Sequence, residues 1–308
     1  MRTPRRITAV NPIYPYYGHK TVCEVQPLTF PPQHQNRQPG LESLMQPRPI
    51  SEDPESRGSG KLQGKVALIT GGDSGIGKAA AIAFAKEGAD VAIAYLWERP
   101  DAEETRQRIE QLGRRCLLIE CDLRPKRNCF AAVERTIRTF GKLDILVNNH
   151  AVQYPQKSIL DISEEQLHQT FCTNIFPFFY LSQAAIPHMK KGSAIINTAS
   201  ITAYQGHKEL IDYSSTKGAI VSFTRSLALS LVDQGIRVNS VAPGPVWTPL
   251  IPSSFSAEEV SVFGLESPMK RAAQPYELAG AYVYLACSES SYVTGACIHV
   301  NGGEMVTS

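Results

Sequence analysis

Val66-Ala67-Leu68-Ile69-Thr70-Gly71-Gly72-Asp73-Ser74-Gly75-Ile76-Gly77 decides the fold. A short apolar run ends in a cluster of glycines, and Ile76 to Lys86 then follows with helical spacing until Gly88 stops it. Gly71, Gly75 and Gly77 permit a tight turn and let a pyrophosphate approach the N-terminus of the helix, whose free amides favour an anion. A glycine cluster alone is a weak signal. Between a strand and an Ala-rich helix it reads as a dinucleotide-binding turn.

Outward from this turn, strand and helix patterns alternate. Strands are expected at Val91 to Leu96, Cys116 to Cys121, Leu143 to Val147, Ala194 to Thr198, Arg237 to Val241 and Ile298 to Val300. Helices are expected at Glu103 to Leu112, Cys129 to Phe140, Glu164 to Met189, Tyr213 to Leu231 and Tyr276 to Cys287. Strands separated by helices need crossover connections, hence a parallel sheet covered on both faces. The expected class is α/β: a Rossmann-type doubly wound parallel sheet in one three-layer α/β/α domain. Within the long Glu164 to Met189 pattern, Pro177 cannot donate to the Thr173 carbonyl, so a kink is expected beside Asn174.

Residues 1–60 differ in kind, with Pro31, Pro32, Pro39, Pro47, Pro49 and Pro54 set among Gln, Arg and Ser. They read as an extended, polyproline-like N-terminal arm preceding a catalytic domain at 61–308. The arm is either a flexible tail or, given Phe30, Leu41, Leu44, Met45 and Tyr14 to Tyr17, a segment docked on the body or a neighbouring subunit. With 31 basic and 29 acidic residues and no long block of one sign, neither nucleic acid nor membrane is an expected partner. The start is not followed by a secretory apolar core; residues 1–23 lack acids, but their prolines oppose a transit-peptide helix. Seven cysteines without a Cys-x-x-Cys suggest reduced thiols and a cytoplasmic location. No histidine has metal-ligand spacing with another His or a Cys, so no metal is expected.

Tyr213 and Lys217 are four residues apart and share a helix face, so the ammonium can favour an ionised phenol. Ser200 lies thirteen residues before Tyr213, at the end of an expected strand. From Lys61 to Gly303 the chain resembles the short-chain dehydrogenase/reductase family. The resemblance rests on the glycine turn, Asn148-Asn149, Asn174, Ser200, Tyr213 with Lys217, Pro243-Gly244 and Asn301-Gly302-Gly303. The arm segment Phe30 to Gly40, with Gly71 to Gly75, resembles a branch that includes glucose/ribitol dehydrogenase-like proteins and bacterial stress-associated oxidoreductases.

The resemblance implies hydride transfer between NAD or NADP and a carbonyl, secondary alcohol or polyol. Tyr213 would be the general acid/base, Ser200 would hold the substrate oxygen, and Lys217 would hold the nicotinamide ribose. Asn174 would join a water-linked proton relay. Cofactor contacts are implied for Gly71, Ser74, Gly75, Ile76, Gly77, Asp122, Leu123, Asn149, Tyr213, Lys217, Pro243, Gly244, Val246 and Thr248, and a homotetramer is implied as the assembly. Two features depart from the family pattern. His150 stands where a small residue is usual, and the second strand ends in Tyr95-Leu96-Trp97-Glu98-Arg99 without the customary acid. Glu98 would repel a 2′-phosphate and Arg99 would welcome one; the balance leans to NAD.

Overall fold

The computed structural model describes residues 19–21 and 25–306. Cys23, the Tyr14 to Tyr17 anchors and almost all of the acid-free N-terminal stretch lie outside the described residues. His19–Thr21 and Val25–Pro27 form an antiparallel pair.

Seven strands make the main sheet: β1 (Val66–Thr70), β2 (Asp90–Tyr95), β3 (Cys116–Glu120), β4 (Ile145–Asn148), β5 (Ala194–Thr198), β6 (Arg237–Pro243) and β7 (Cys297–Val300). All neighbours are parallel, in the order β3-β2-β1-β4-β5-β6-β7. The chain winds one way from β1 to β3 and the other way from β4 to β7. A crevice therefore opens at the carboxyl ends of β1 and β4, where successive connections diverge.

The main helices are α1 (Gly75–Lys86), α2 (Arg99–Gln111), α3 (Lys126–Phe140), α4 (Glu164–Asn174), α5 (Phe176–Ala185), α6 (Ile211–Leu231) and α7 (Tyr276–Ala286). One face of the sheet packs Ile69, Val91 and Val147 with Phe84 of α1, Ile109 of α2 and Tyr282 of α7. The other packs Leu68, Leu146 and Ile195 with Val133 of α3, Leu181 of α5 and Leu231 of α6. The central strands are buried on both faces, which is why they read as continuous apolar runs.

The helix expected over Glu164 to Met189 is interrupted rather than kinked. α4 stops at Asn174, Ile175 leaves helical geometry at φ −131°, and α5 restarts at Phe176 with Pro177 in its first turn. Proline suits a first turn because that position has no intrahelical partner for an amide.

The second half of the arm is docked on the body, with extended backbone at Leu41 and Met45 on either side of a short 3-10 turn. Phe30 stacks on Trp247 with ring centroids 3.7 Å apart, and Met45 is buried beside them. Gln35 donates its amide to the Pro252 carbonyl at 2.7 Å, and the Trp247 indole donates to the Pro47 carbonyl at 2.9 Å. A 3-10 turn, Glu42–Leu44, sits against α2. The arm thus fastens the segment that follows β6.

Candidate functional site

A cavity of about 580 Å³ opens at the carboxyl ends of β1, β4, β5 and β6. Every residue expected to act in catalysis or to contact the cofactor lines it except Gly77 and Asn174. The glycine turn is built for close approach: Gly71 and Gly75 hold φ of +63° and +51°, in the left-handed region that glycine favours. Gly77 lies behind the turn, where a Cβ would come within 1.9 Å of the Gly71 carbonyl. Its role is to let α1 pack onto the strand.

Asn149 staples the turn to the neighbouring strand. Its Nδ2 donates to the carbonyls of Thr70 (3.1 Å) and Gly71 (3.3 Å), and its Oδ1 accepts from the Thr198 hydroxyl at 3.1 Å. Asn148 instead braces the sheet, donating to Asn197 Oδ1 at 2.9 Å.

α6 carries Tyr213 and Lys217 into the cavity one turn apart, facing Ser200 just beyond β5. The Ser200 oxygen accepts from the amide (3.2 Å) and hydroxyl (3.1 Å) of Thr202, which orients it. Lys217 Nζ donates to the Thr198 carbonyl at 2.8 Å and lies 5.4 Å from the centre of the Tyr213 ring. The lysine is therefore anchored to the end of β5 rather than hydrogen-bonded to the phenol. Burial pushes the Tyr213 phenol up to about 12, against the pull of a hydrogen bond with Ser200. Burial also pushes Lys217 down to about 7. The sequence argument of a lysine-depressed phenol considered charge and left out desolvation, which dominates here.

Asn174 is fully buried but outside the cavity. Its Oδ1 accepts from the Val152 amide and its Nδ2 donates to the Val152 carbonyl, both at 2.8 Å, with a longer contact to Thr216. It pins the loop after β4. His150, in the same loop, contacts the Thr70 hydroxyl through Nδ1 at 2.7 Å. The ring also interacts with the Thr173 carbonyl, the group Pro177 leaves without a helical donor, although Nε2 has no partner at full hydrogen-bond geometry.

At the far end of the cavity, Glu98 is only 1% exposed and accepts from the amides of Leu96 and Trp97 at 3.1 and 2.8 Å. Burial raises its carboxyl above the ordinary range. Asp122 also faces the cavity; burial would raise it, but the Arg124 guanidinium and amide hold it below the ordinary range.

The arm supplies cavity residues that the sequence reading missed. Gln38, Pro39 and Gly40 line the wall. Gln38 donates to the Gln153 carbonyl at 2.6 Å and accepts from its amide at 3.1 Å, as a strand neighbour would. At Gly40 an added Cβ would lie 2.7 Å from the Pro249 carbonyl, so this position needs glycine for close approach. The available signal was the Pro-Gly pair itself, a turn signature inside a segment otherwise read as extended.

Among the described residues, no group of three His, Cys, Asp or Glu side chains is placed to hold a metal, and no helix is long and apolar enough to cross a membrane.

A family model described as enoyl-(acyl carrier protein) reductase matches residues 71–304. An uncharacterized oxidoreductase of Bacillus subtilis, YhdF, is 66% identical over 90% of this chain and 96% of its own length. The glucose and ribitol dehydrogenase of Daucus carota is 52% identical over 90% of this chain and 97% of its own length. A short-chain dehydrogenase from Burkholderia cenocepacia, solved in complex with NADP, superimposes with a TM-score of 0.74 at 32% identity, covering 79% of this chain and 99% of that one. With the crevice between β1 and β4, the glycine turn and the Ser200–Tyr213–Lys217 face all in one cavity, these likenesses place the chain in the short-chain dehydrogenase/reductase family.

Proposed function

We propose that the protein is an oxidoreductase that binds a nicotinamide dinucleotide and interconverts a small carbonyl compound with its alcohol or polyol. The observation that carries this reading is the convergence of Ser200, Tyr213 and Lys217 on the cavity that also receives the glycine turn. The donor set fits a dinucleotide. The open left-handed turn at Gly71 and Gly75 admits a pyrophosphate, and the first-turn amides of α1 offer it hydrogen bonds. All of them in the cavity lining, Ser74, Gly75 and Ile76 would hold the pyrophosphate, Asp122 and Leu123 the adenine end, and Asn149, Pro243, Gly244, Val246 and Thr248 the nicotinamide end.

A bound nicotinamide supplies or accepts the hydride. The chain's own residues manage the proton and the oxygen. Ser200 donates to the substrate oxygen as charge develops there. Tyr213, held protonated by burial, gives its proton to that oxygen in the reductive direction. Lys217, fixed by Thr198, orients the nicotinamide ribose. Asn174 holds the Val152 loop against α6.

The lean to NAD rested on Glu98 as a free carboxylate. That group is turned inward onto backbone amides, and the arm lays Arg37 over Trp97, 3.7 Å from the ring centroid, at the same end. NADP is therefore proposed as a cofactor equally with NAD. A homotetramer is supported by the exposed apolar side chains Leu167, Phe176 and Phe179 on α4 and α5 and Leu229 on α6. The six cysteines among the described residues are unpaired, which suits a reducing, cytoplasmic setting.

The test is fluorescence titration with NADH and NADPH, followed by turnover against aldehydes, ketones and sugars. Tyr213→Phe is expected to bind cofactor as the wild type does while losing roughly a thousandfold or more in kcat. Near-normal turnover in that variant rejects the proton role, and failure of the wild type to bind either cofactor rejects the function.

A further inference from the structure

Glu42 reaches the cofactor turn from outside the sheet. It lies on the arm, 33 residues before Gly75, and is 1% exposed. Its Oε2 accepts from the Gly75 amide at 2.7 Å, and its Oε1 accepts from Lys78 Nζ at 2.7 Å. The turn that carries it is itself held, because the Asp101 carboxylate accepts from the Glu42 and Ser43 amides at 2.6 and 3.1 Å. Lys78 is almost as buried and also donates to Glu104 at 2.7 Å.

Helix α1 has no side-chain cap of its own, since Ser74 at its N-cap makes no such bond. The arm's carboxylate takes that place. A carboxylate suits the positive end of a helix, but it would repel a pyrophosphate arriving at the same end. Lys78 stands one turn into the helix and offsets that charge at direct contact. Glu42 occupies the Gly75 amide, so the Ile76 and Gly77 amides remain as first-turn donors without intrahelical partners.

We propose that Glu42 is a positioning residue for the cofactor: it fixes the Gly75 end of the turn, and Lys78 neutralises it so that a pyrophosphate can share the helix end. This rests on the reading of the cavity as a nicotinamide dinucleotide site. It makes the arm a working part of that site rather than an accessory to stability.

The experiment measures, in the full-length protein, affinity for NADH and NADPH and, by competition, for adenosine, which lacks the pyrophosphate. Glu42→Ala is expected to weaken dinucleotide binding about tenfold with adenosine unchanged, whereas Glu42→Gln, which keeps an acceptor for the Gly75 amide, stays within about threefold. Lys78→Met leaves the Glu42 carboxylate beside the pyrophosphate with only the half-exposed Arg48, 3.8 Å away, to offset it, and is expected to weaken binding at least about tenfold; adding Glu42→Gln to it restores most of the loss. That rescue carries the test if Glu42→Ala does not fold. Unchanged affinity in Glu42→Ala and Lys78→Met, equal losses for adenosine, or no rescue in the double variant overturns the proposal while leaving the function standing. A wild type that binds neither dinucleotide overturns both.

Discussion

His150 is expected to make the stability of this protein sensitive to mild acid. The imidazole is half-buried in the cavity wall behind the glycine turn, against Thr70, the Thr173 carbonyl and the Phe178 ring, and it feels the charge of Lys217. Burial first, and the Lys217 charge second, push it down to about 4 from an ordinary 6.5, while Asp122 and the Thr173 carbonyl oppose the shift weakly. A base with a lowered folded pKa binds fewer protons folded than unfolded, so its contribution to stability is intact above 6.5 and is lost as pH falls toward 4. Between pH 8 and pH 5 the linkage integral for these two values comes to about 2 kcal/mol. The assay is urea unfolding of wild type and His150→Ala at matched protomer concentration, at pH 8, 6 and 5. His150→Ala is expected to be less stable at pH 8, having lost buried contacts, yet to fall less steeply, so that the gap between the two proteins narrows by about 2 kcal/mol at pH 5. Parallel profiles would show that the imidazole titrates alike in both states and would refute the reasoning.

Phe30→Ala removes the ring stacked on Trp247 and opens the junction between arm and body. A loss of about 3 to 5 kcal/mol in unfolding free energy is expected, with a change in tryptophan emission, and a loss below about 1 kcal/mol would show that the arm is not integral to the fold. The Cys116 and Cys129 thiols, pushed up to about 12 by burial, and Cys121, pushed up to about 11, are expected to resist iodoacetamide in the native protein at pH 8. Intact-mass analysis showing rapid labelling at those three positions would contradict the burial that raises them.

The fold was legible because its signals are local. Short apolar runs and helical segments alternate along the chain, and a parallel sheet follows from that alternation alone. The spacing of Tyr213 and Lys217 likewise needs only the helical repeat. The Pro177 break was legible in part: a missing amide announces a disturbed turn, but whether α4 bends or ends depends on what receives the Thr173 carbonyl. The His150 ring, which lies against that carbonyl, comes from another loop.

The sequence by itself determined which residues sit at strand ends and share helix faces, because strand ends and side-chain periodicity are short-range consequences of pattern. Only the tertiary structure decided how those groups are charged and what encloses them. Glu98 reads as a free acid at the ribose end, yet burial and two backbone amides turn it inward. Tyr213 reads as a phenol relieved by a lysine, yet desolvation holds it protonated. The arm reads as an extended chain, yet it delivers Gln38 and Gly40 to the cavity wall and Glu42 to the cofactor helix. Desolvation and long-range hydrogen bonds depend on neighbours distant in sequence, and no local pattern encodes them.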